Sequence, residues 1–338
     1  MTGRRYVSLK DLARELGVSI STVSRALRDH PNISEEIKNK VKRLASEWNF
    51  SPNPLAMGLL HQNTRTIGVI VPDLVTHFFS SVISGVEAYA SVKGYYIIIT
   101  SSYESYQKEK ECIKNLMNSR VEGLIVCLSY QTRDHSHFEE LHKKGIPIVF
   151  FDRVCMTDKV PVVVADNRVA AWKITEHFIQ SGYKRIAHIA GPPFLNISSE
   201  RSGGYMQALQ DHNVPFKKEY LVHCEMNPVA ATEATRQLLA LAEPPDAIFG
   251  INDTVAFAAM KEIKRQGYKI PEDIAIIGFT DEYHATIVDP PLTSIQHPTF
   301  EMGQMAAKLF FNLLEGKTSP QHVELKTDLV IRESSVKE

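Results

Sequence analysis

Ser19, Ser21, Thr22, Ser24, Arg25 and Arg28 place four hydroxyls and two guanidinium groups within ten residues. Hydroxyls bind phosphate oxygens and arginine can pair with both acceptors on a guanine edge, so the chemistry on offer is nucleic-acid recognition. Such groups need a helix to aim them. Ser19 is a good N-cap, and Ile20 or Val23, with Ala26 and Leu27, supplies the inner stripe of a helix that leaves those polar groups outside. Upstream, Ser8 with Asp11 three residues on starts another helix, whose Leu9, Leu12, Ala13 and Leu16 share one face, and Gly17 supplies the left-handed residue that ends it. Two helices joined by so short a turn have the layout of a helix-turn-helix, the second helix entering the major groove. An ordinary helical hairpin with a solvated polar face would share the pattern.

A third helix is capped by Ser34 and carries Glu35 and Glu36 in its first turn. Ile37, Val41, Leu44, Ala45 and Trp48 form its apolar stripe, and Lys38, Lys40, Lys42 and Arg43 lie off it. Residues 1–60 carry net charge +4 in a chain of net −1, so the remainder is −5. A basic head on a mildly acidic body confines any nucleic-acid contact to the head. Between them, Asn53 caps and Pro54 opens a helix of about two turns ending near Leu60, weakened further by Gly58. Such a segment is a linker that folds on meeting a partner, or a plain flexible one.

The body alternates apolar runs with helical stretches. Strands are expected at 66–72, 95–100, 123–128, 147–151, 162–165, 185–190, 247–251 and 274–279, and helices at 79–92, 108–117, 170–180, 199–210, 231–241 and 255–266. That order predicts doubly wound parallel sheets, and runs such as Ile97-Ile98-Ile99 suit strands buried on both faces.

Other chemistry finds no motif. Cys112, Cys127, Cys155 and Cys224 are scattered, which argues against a zinc site or a disulfide framework and fits a reducing cytoplasm. His135, His137 and His142 have no completing cysteine or acidic motif, and read as solvated loop histidines rather than metal ligands. No phosphate loop, dinucleotide fingerprint or nucleophile elbow is present, so no cofactor, metal or catalytic residue is expected. With no signal-peptide core and no span of eighteen apolar residues, a cytoplasmic, non-enzymatic protein without membrane contact is expected.

Residues 8–60 resemble the head and hinge of the lac repressor and purine repressor family of bacterial transcription regulators, most specifically through Val18-Ser19-Ile20-Ser21-Thr22-Val23-Ser24-Arg25. The resemblance runs on to Leu329-Val330-Ile331-Arg332-Glu333-Ser334-Ser335. It implies a homodimer on palindromic double-stranded operator DNA. Ile20 and Ser21 would select the operator, Arg25 would read a base, and Ser8, Ser19, Thr22, Ser24 and Ser34 would hold phosphates; Arg28 joins them as an outward cation. In the hinge, Asn53, Leu55, Ala56 and Leu59 fall at contact positions, Leu55 packing two hinges together and Leu59 wedging into the minor groove to kink the duplex.

The resemblance also divides the chain. A helix-turn-helix domain takes 1–50, a hinge 51–64, and a two-lobed α/β body, like a periplasmic binding protein, 65–338. Its N-lobe takes 65–165 and 293–323, its C-lobe 166–292 and 324–338. An effector would bind between the lobes, near Phe78, Phe79, Asp152, Arg153, Arg201, Met226, Asn252, Thr280 and Asp281. Polar groups over aromatic faces imply a sugar or sugar derivative, with a nucleobase as the alternative. An enzyme or solute-binding protein carrying an added head is the remaining reading. Thr280 stands where relatives commonly carry aspartate and Met226 where an aromatic often stacks, so either the effector differs from the sugars and purines of better-known members or Asp281 stands in. Without a C-terminal leucine heptad, a dimer is expected over a tetramer.

Overall fold

The computed structural model describes residues 7–48, 50, 64–317 and 321–337. The chain forms two compact units, 1–65 and 66–338. The first holds α1 (Leu9–Glu15), α2 (Ile20–Ala26) and α3 (Glu35–Glu47). Ser8 and Asp11 form a reciprocal capping box, Ser19 and Ser34 cap the next two helices, and Gly17 takes φ +62°. Leu12, Ala13, Val23, Ala26, Val41 and Ala45 make the core. Two expectations for α3 change. Trp48 is 37 % exposed, and Lys38 is buried, its ammonium 2.7 Å from Glu35. A lysine stem can lie along apolar surface while its head finds a carboxylate, so a charged residue beside the stripe became part of it.

The body contains two parallel sheets. In the first, β1 (Thr66–Val71), β2 (Tyr96–Ser101), β3 (Leu124–Val126), β4 (Ile148–Phe151), β5 (Val162–Ala165) and β11 (His322–Leu325) stand in the order β11-β5-β4-β3-β1-β2. In the second, β6 (Ile186–Ala190), β7 (Leu221–His223), β8 (Ala247–Gly250) and β9 (Ala275–Ile277) stand as β7-β6-β8-β9. An antiparallel pair, β10 (Ser294–Gln296) with β12 (Asp328–Val330), continues this sheet through bridges Ile277–Thr293 and Thr280–Gln296. The lobe boundaries expected at 293 and 324 therefore shift. Strand β10 lies with the second sheet and the whole of β11 with the first, so the chain changes lobe near 166, 297 and 327.

The linking helices are α4 (His77–Val92), α5 (Tyr106–Asn118), α6 (Ser136–Lys143), α7 (Asn167–Gln180), α8 (Asn196–Asp211), α9 (Pro228–Leu239), α10 (Asp253–Arg265) and α11 (Thr299–Leu314). Helices α6 and α11 and strands β7 and β10 were not among the individual elements expected from periodicity. Helix α11 packs on α4 with unusual closeness: a Cβ on Gly303 would sit 2.0 Å from the Val82 carbonyl oxygen, and one on Gly85 2.1 Å from that of Phe300. Only glycine permits this backbone contact. It locks residues 299–314 into the first lobe although they follow the second in sequence.

Strand β2 departs from expectation. It is an edge strand, and Tyr96, Ile98 and Ile99 are 70 %, 37 % and 38 % exposed, so the Ile97-Ile98-Ile99 run is not buried on both faces within one chain.

Candidate DNA-reading helix and inter-lobe cleft

At the start of α2, the Ser19 hydroxyl oxygen lies 2.7 Å from that of Ser21 and 2.8 Å from that of Thr22, while accepting the Thr22 N–H at 3.1 Å. The inner stripe is Val23 and Ala26, both fully buried, and Ile20 faces solvent at 48 % exposure. An exposed apolar side chain beside a hydroxyl cluster can meet a thymine methyl as well as phosphate. Arg25 is exposed and has no acceptor among the described residues, so its donor fork is open. The Arg28 guanidinium donates to Ser24 Oγ at 3.2 Å. Around them Arg14 pairs with Asp11, Lys40 with Glu36 and Lys42 with Asp29. These exposed pairs contribute little stability, and because each sets one cation against one anion they leave the net +4 of residues 1–60 unchanged. Among the described residues Lys10 and Arg25 have no carboxylate partner, so their charges are open to an outside acceptor. Asn53, Leu55, Ala56 and Leu59 lie outside the described residues.

In the body, residues beyond the carboxyl ends of both sheets converge on a cavity of about 400 Å³ between the lobes. Phe78 and Phe79 reach it from α4, Asp152 and Arg153 follow β4, and Arg201 comes from α8. Met226 follows β7, Asn252 follows β8 and Thr280 follows β9. Asn252 accepts the Val255 N–H at 2.9 Å as the α10 cap, so one residue both starts a helix and faces the cleft.

Arg201 is buried with its face 3.5 Å from the Phe279 ring centroid. Its Nε donates to Asn167 Oδ1 at 2.8 Å and one terminal nitrogen to the Ile251 carbonyl at 2.6 Å. Burial lowers its pKa to about 10. The guanidinium stays charged, held rigid by ring, amide and carbonyl, with donors left for a ligand. Arg153 is committed: one terminal nitrogen donates to both Glu104 oxygens at 2.8 and 2.9 Å.

The acids are shifted the other way. Burial raises the pKa of Asp152 despite the pull of Arg201 and Arg153. Asp253, at the first turn of α10, is pushed up to about 7 by burial, although Ser294 Oγ donates to it at 2.6 Å and the Glu282 N–H at 2.9 Å. It fits because position 278 is glycine; a Cβ there would meet its Oδ1 at 2.1 Å. Thr280 takes φ +146° and Asp281 φ +55°, a strained pair for side-chain-bearing residues at the rim of the site.

Asp281 is a correction. Its carboxylate accepts from Arg332 at 2.6 Å and does not line the cavity, so it is no stand-in for the aspartate that Thr280 replaces. The cleft instead includes Asp253, which with Asn252 follows the β8 strand end as the sequence suggests, and acids that the sequence did not point to, among them Glu104 and Glu282, with Tyr103 and Tyr130. His297 was also missed. It sits in the crossover from β10 to α11, buried, both ring nitrogens without a hydrogen-bond partner, 4.0 Å from Asp152 and edge-on to Phe78 at 5.1 Å. Burial, with Arg201 nearby, holds its pKa down to about 3, so it is a neutral imidazole awaiting a partner.

Of the three clustered histidines only His142 is exposed, and it stands on α6 rather than in a loop. His137 lies on α6, 3.0 Å from fully buried Glu109, and His135 precedes the helix and is half-buried. Among the described residues no group of His, Cys, Asp or Glu could hold a metal, and no helix is long and apolar enough to cross a membrane.

Residues 64–333 match the model for periplasmic binding proteins and the sugar-binding domain of the LacI family, and residues 8–53 match that for bacterial regulatory proteins of the lacI family. The HTH-type transcriptional repressor CytR of Escherichia coli (strain K12) is 34 % identical over 333 residues, covering 97 % of this chain and 96 % of that protein. A solved complex of the transcriptional regulator CelR with cellobiose is 28 % identical, with TM-score 0.75 over 97 % of this chain and 99 % of that one. The lac repressor bound to ONPG in its repressed state is 25 % identical, with TM-score 0.85 over 98 % and 100 %.

Proposed function

Since the chain belongs to the lacI family of bacterial regulatory proteins, and is a non-enzymatic, DNA-binding transcriptional repressor that responds to a small molecule, we propose that its effector is a sugar or sugar derivative. The convergence of Phe78, Asp152, Arg201, Asn252 and His297 on one cavity carries this reading. Aromatic edges and faces suit the apolar side of a sugar ring, and its hydroxyls need both donors and acceptors. Arg201 donates, Asp152 accepts, and Asn252 and neutral His297 do both. The acids around the cavity disfavour a phosphorylated or carboxylated sugar. The chain regulates carbohydrate-related genes in the cytoplasm.

It works as a homodimer on a palindromic operator. The exposed edge strand β2 supports this, since an Ile-Ile-Ile run left open on one chain is what a second copy would cover. Ser8, Ser19, Thr22, Ser24 and Ser34 hold phosphates, Arg28 adds charge, and Ile20, Ser21 and Arg25 read bases. The hinge contacts DNA in a pair with its copy through Asn53, Leu55, Ala56 and Leu59, with Leu59 inserted at the central step. Ligand closing the lobes alters that pairing, which couples effector and operator affinity reciprocally.

The test is a thermal-shift screen of the full chain against neutral sugars, sugar phosphates and nucleobases, followed by operator titrations with the hit. A tight ligand raises the transition by mass action. Neutral sugars should do so and change operator affinity; a nucleobase acting alone would overturn the sugar assignment.

A further inference from the structure

A second cavity, of about 360 Å³, lies beside the main one. Three loops that follow β3, β6 and β7 form it, again at carboxyl ends of parallel strands. The two cavities meet at Tyr130, which lines both and whose hydroxyl donates across the lobes to Glu225 at 3.2 Å. Either volume alone lies near the bottom of the roughly 300–1,000 Å³ range of ligand pockets, and together they are well inside it.

The side cavity has the parts that hold a ring. Phe194 is 42 % exposed and lies beside Pro192 and Pro193, which gives a flat apolar platform. Arg133 lies over the Phe194 ring at 4.6 Å and has no hydrogen-bond acceptor among the described residues, so its donors are unspent. His223 points Nδ1 at the Gly191 carbonyl at 2.8 Å, which leaves Nε2 as an acceptor. Glu225 adds a carboxylate that, among the described residues, accepts from Tyr130 and Asn227.

We infer that the effector is a two-ring compound: a hydroxyl-rich ring in the main cavity, joined by a glycosidic bond passing Tyr130 to a second ring on the Phe194 platform. The inference rests on the reading of the cleft as the effector site. A disaccharide and a nucleoside share this chemistry.

Isothermal titration of the full chain with disaccharides, nucleosides and the single-ring halves of each tests it. One two-ring arm should bind at least about tenfold more tightly than either of its halves, and which arm responds identifies the source. Phe194→Ala, at an exposed position, should weaken that compound roughly three- to tenfold, the range of an aromatic contact, and leave the half that fills the main cavity within about twofold. A half binding as tightly as the whole, or an unchanged affinity in Phe194→Ala, overturns the second ring while the cleft stands. No binding in any arm overturns both readings.

Discussion

Asp253 offers the sharpest test of the electrostatics around the cleft. Its carboxyl is fully buried and its pKa rises from 3.8 to about 7, with burial the largest cause. An acid raised in the folded state stabilises below its unfolded pKa, and that contribution is lost as pH climbs through the folded value. At about 1.4 kcal/mol per unit, linkage gives a loss of about 2.5 kcal/mol between pH 5 and pH 8 from this one group. Several histidines tilt the other way: His188 and His297 are both held down to about 3 by burial, so they remove stability as pH falls. The wild-type curve is therefore a sum of opposed slopes, and the useful quantity is a difference. In Asp253→Asn the side-chain oxygen can still accept from the Glu282 N–H, and the amide can donate to Ser294 Oγ. Urea unfolding of both proteins at pH 5, 6, 7 and 8 should show the wild type losing about 2.5 kcal/mol more than the variant across that range. A difference that stays flat would mean that the carboxyl is ordinarily solvated and that the buried-acid account of the α10 terminus is wrong.

Three further outcomes are expected. Arg25→Ala should lower the ratio of operator to random-duplex affinity by about 1–3 kcal/mol, read by fluorescence anisotropy on a site selected from a random library; an unchanged ratio removes Arg25 from base reading. Arg332→Met strands the Asp281 carboxylate and should cost about 3 kcal/mol, part of it recovered in the double variant with Asp281→Asn. Additive effects in that cycle would sever the pair. Gly303→Ala should cost about 1–3 kcal/mol in thermal unfolding, because its Cβ would enter the Val82 carbonyl, and a stabilised variant would disprove the close crossing of α4 and α11.

What could be read from the chain depended on the range of the interactions. The caps at Ser8, Ser19 and Ser34 are local hydrogen bonds, and all three helices start where those residues stand. Strand ends were legible too, because parallel sheets present ligands to their carboxyl edges whatever the sequence. Asp281 could not be read, since its fate is decided by Arg332, 51 residues away. His297 lies in a crossover with no periodicity to mark it. Strands β7 and β10 are three residues long and lack the apolar run that marks the equally short β3 and β9. Lys38 shows the limit of counting charge by face, because a four-carbon stem can be core while its tip is not.

The register of β11 on β5 sets an order on synthesis. Val162–Ala165 must wait for His322–Leu325, and Ser294–Gln296 for Asp328–Val330, so neither lobe is finished until the last strands have left the ribosome. Residues 1–65 have their own core and emerge first. Pairings this distant in sequence are slow to form and leave sheet edges open in the meantime. A chain stopped short of residue 322 would therefore carry a head able to fold on a body that cannot close its sheets. The helical head thus needs none of the later chain for its core, while both sheets of the body wait for 322–325 and 328–330.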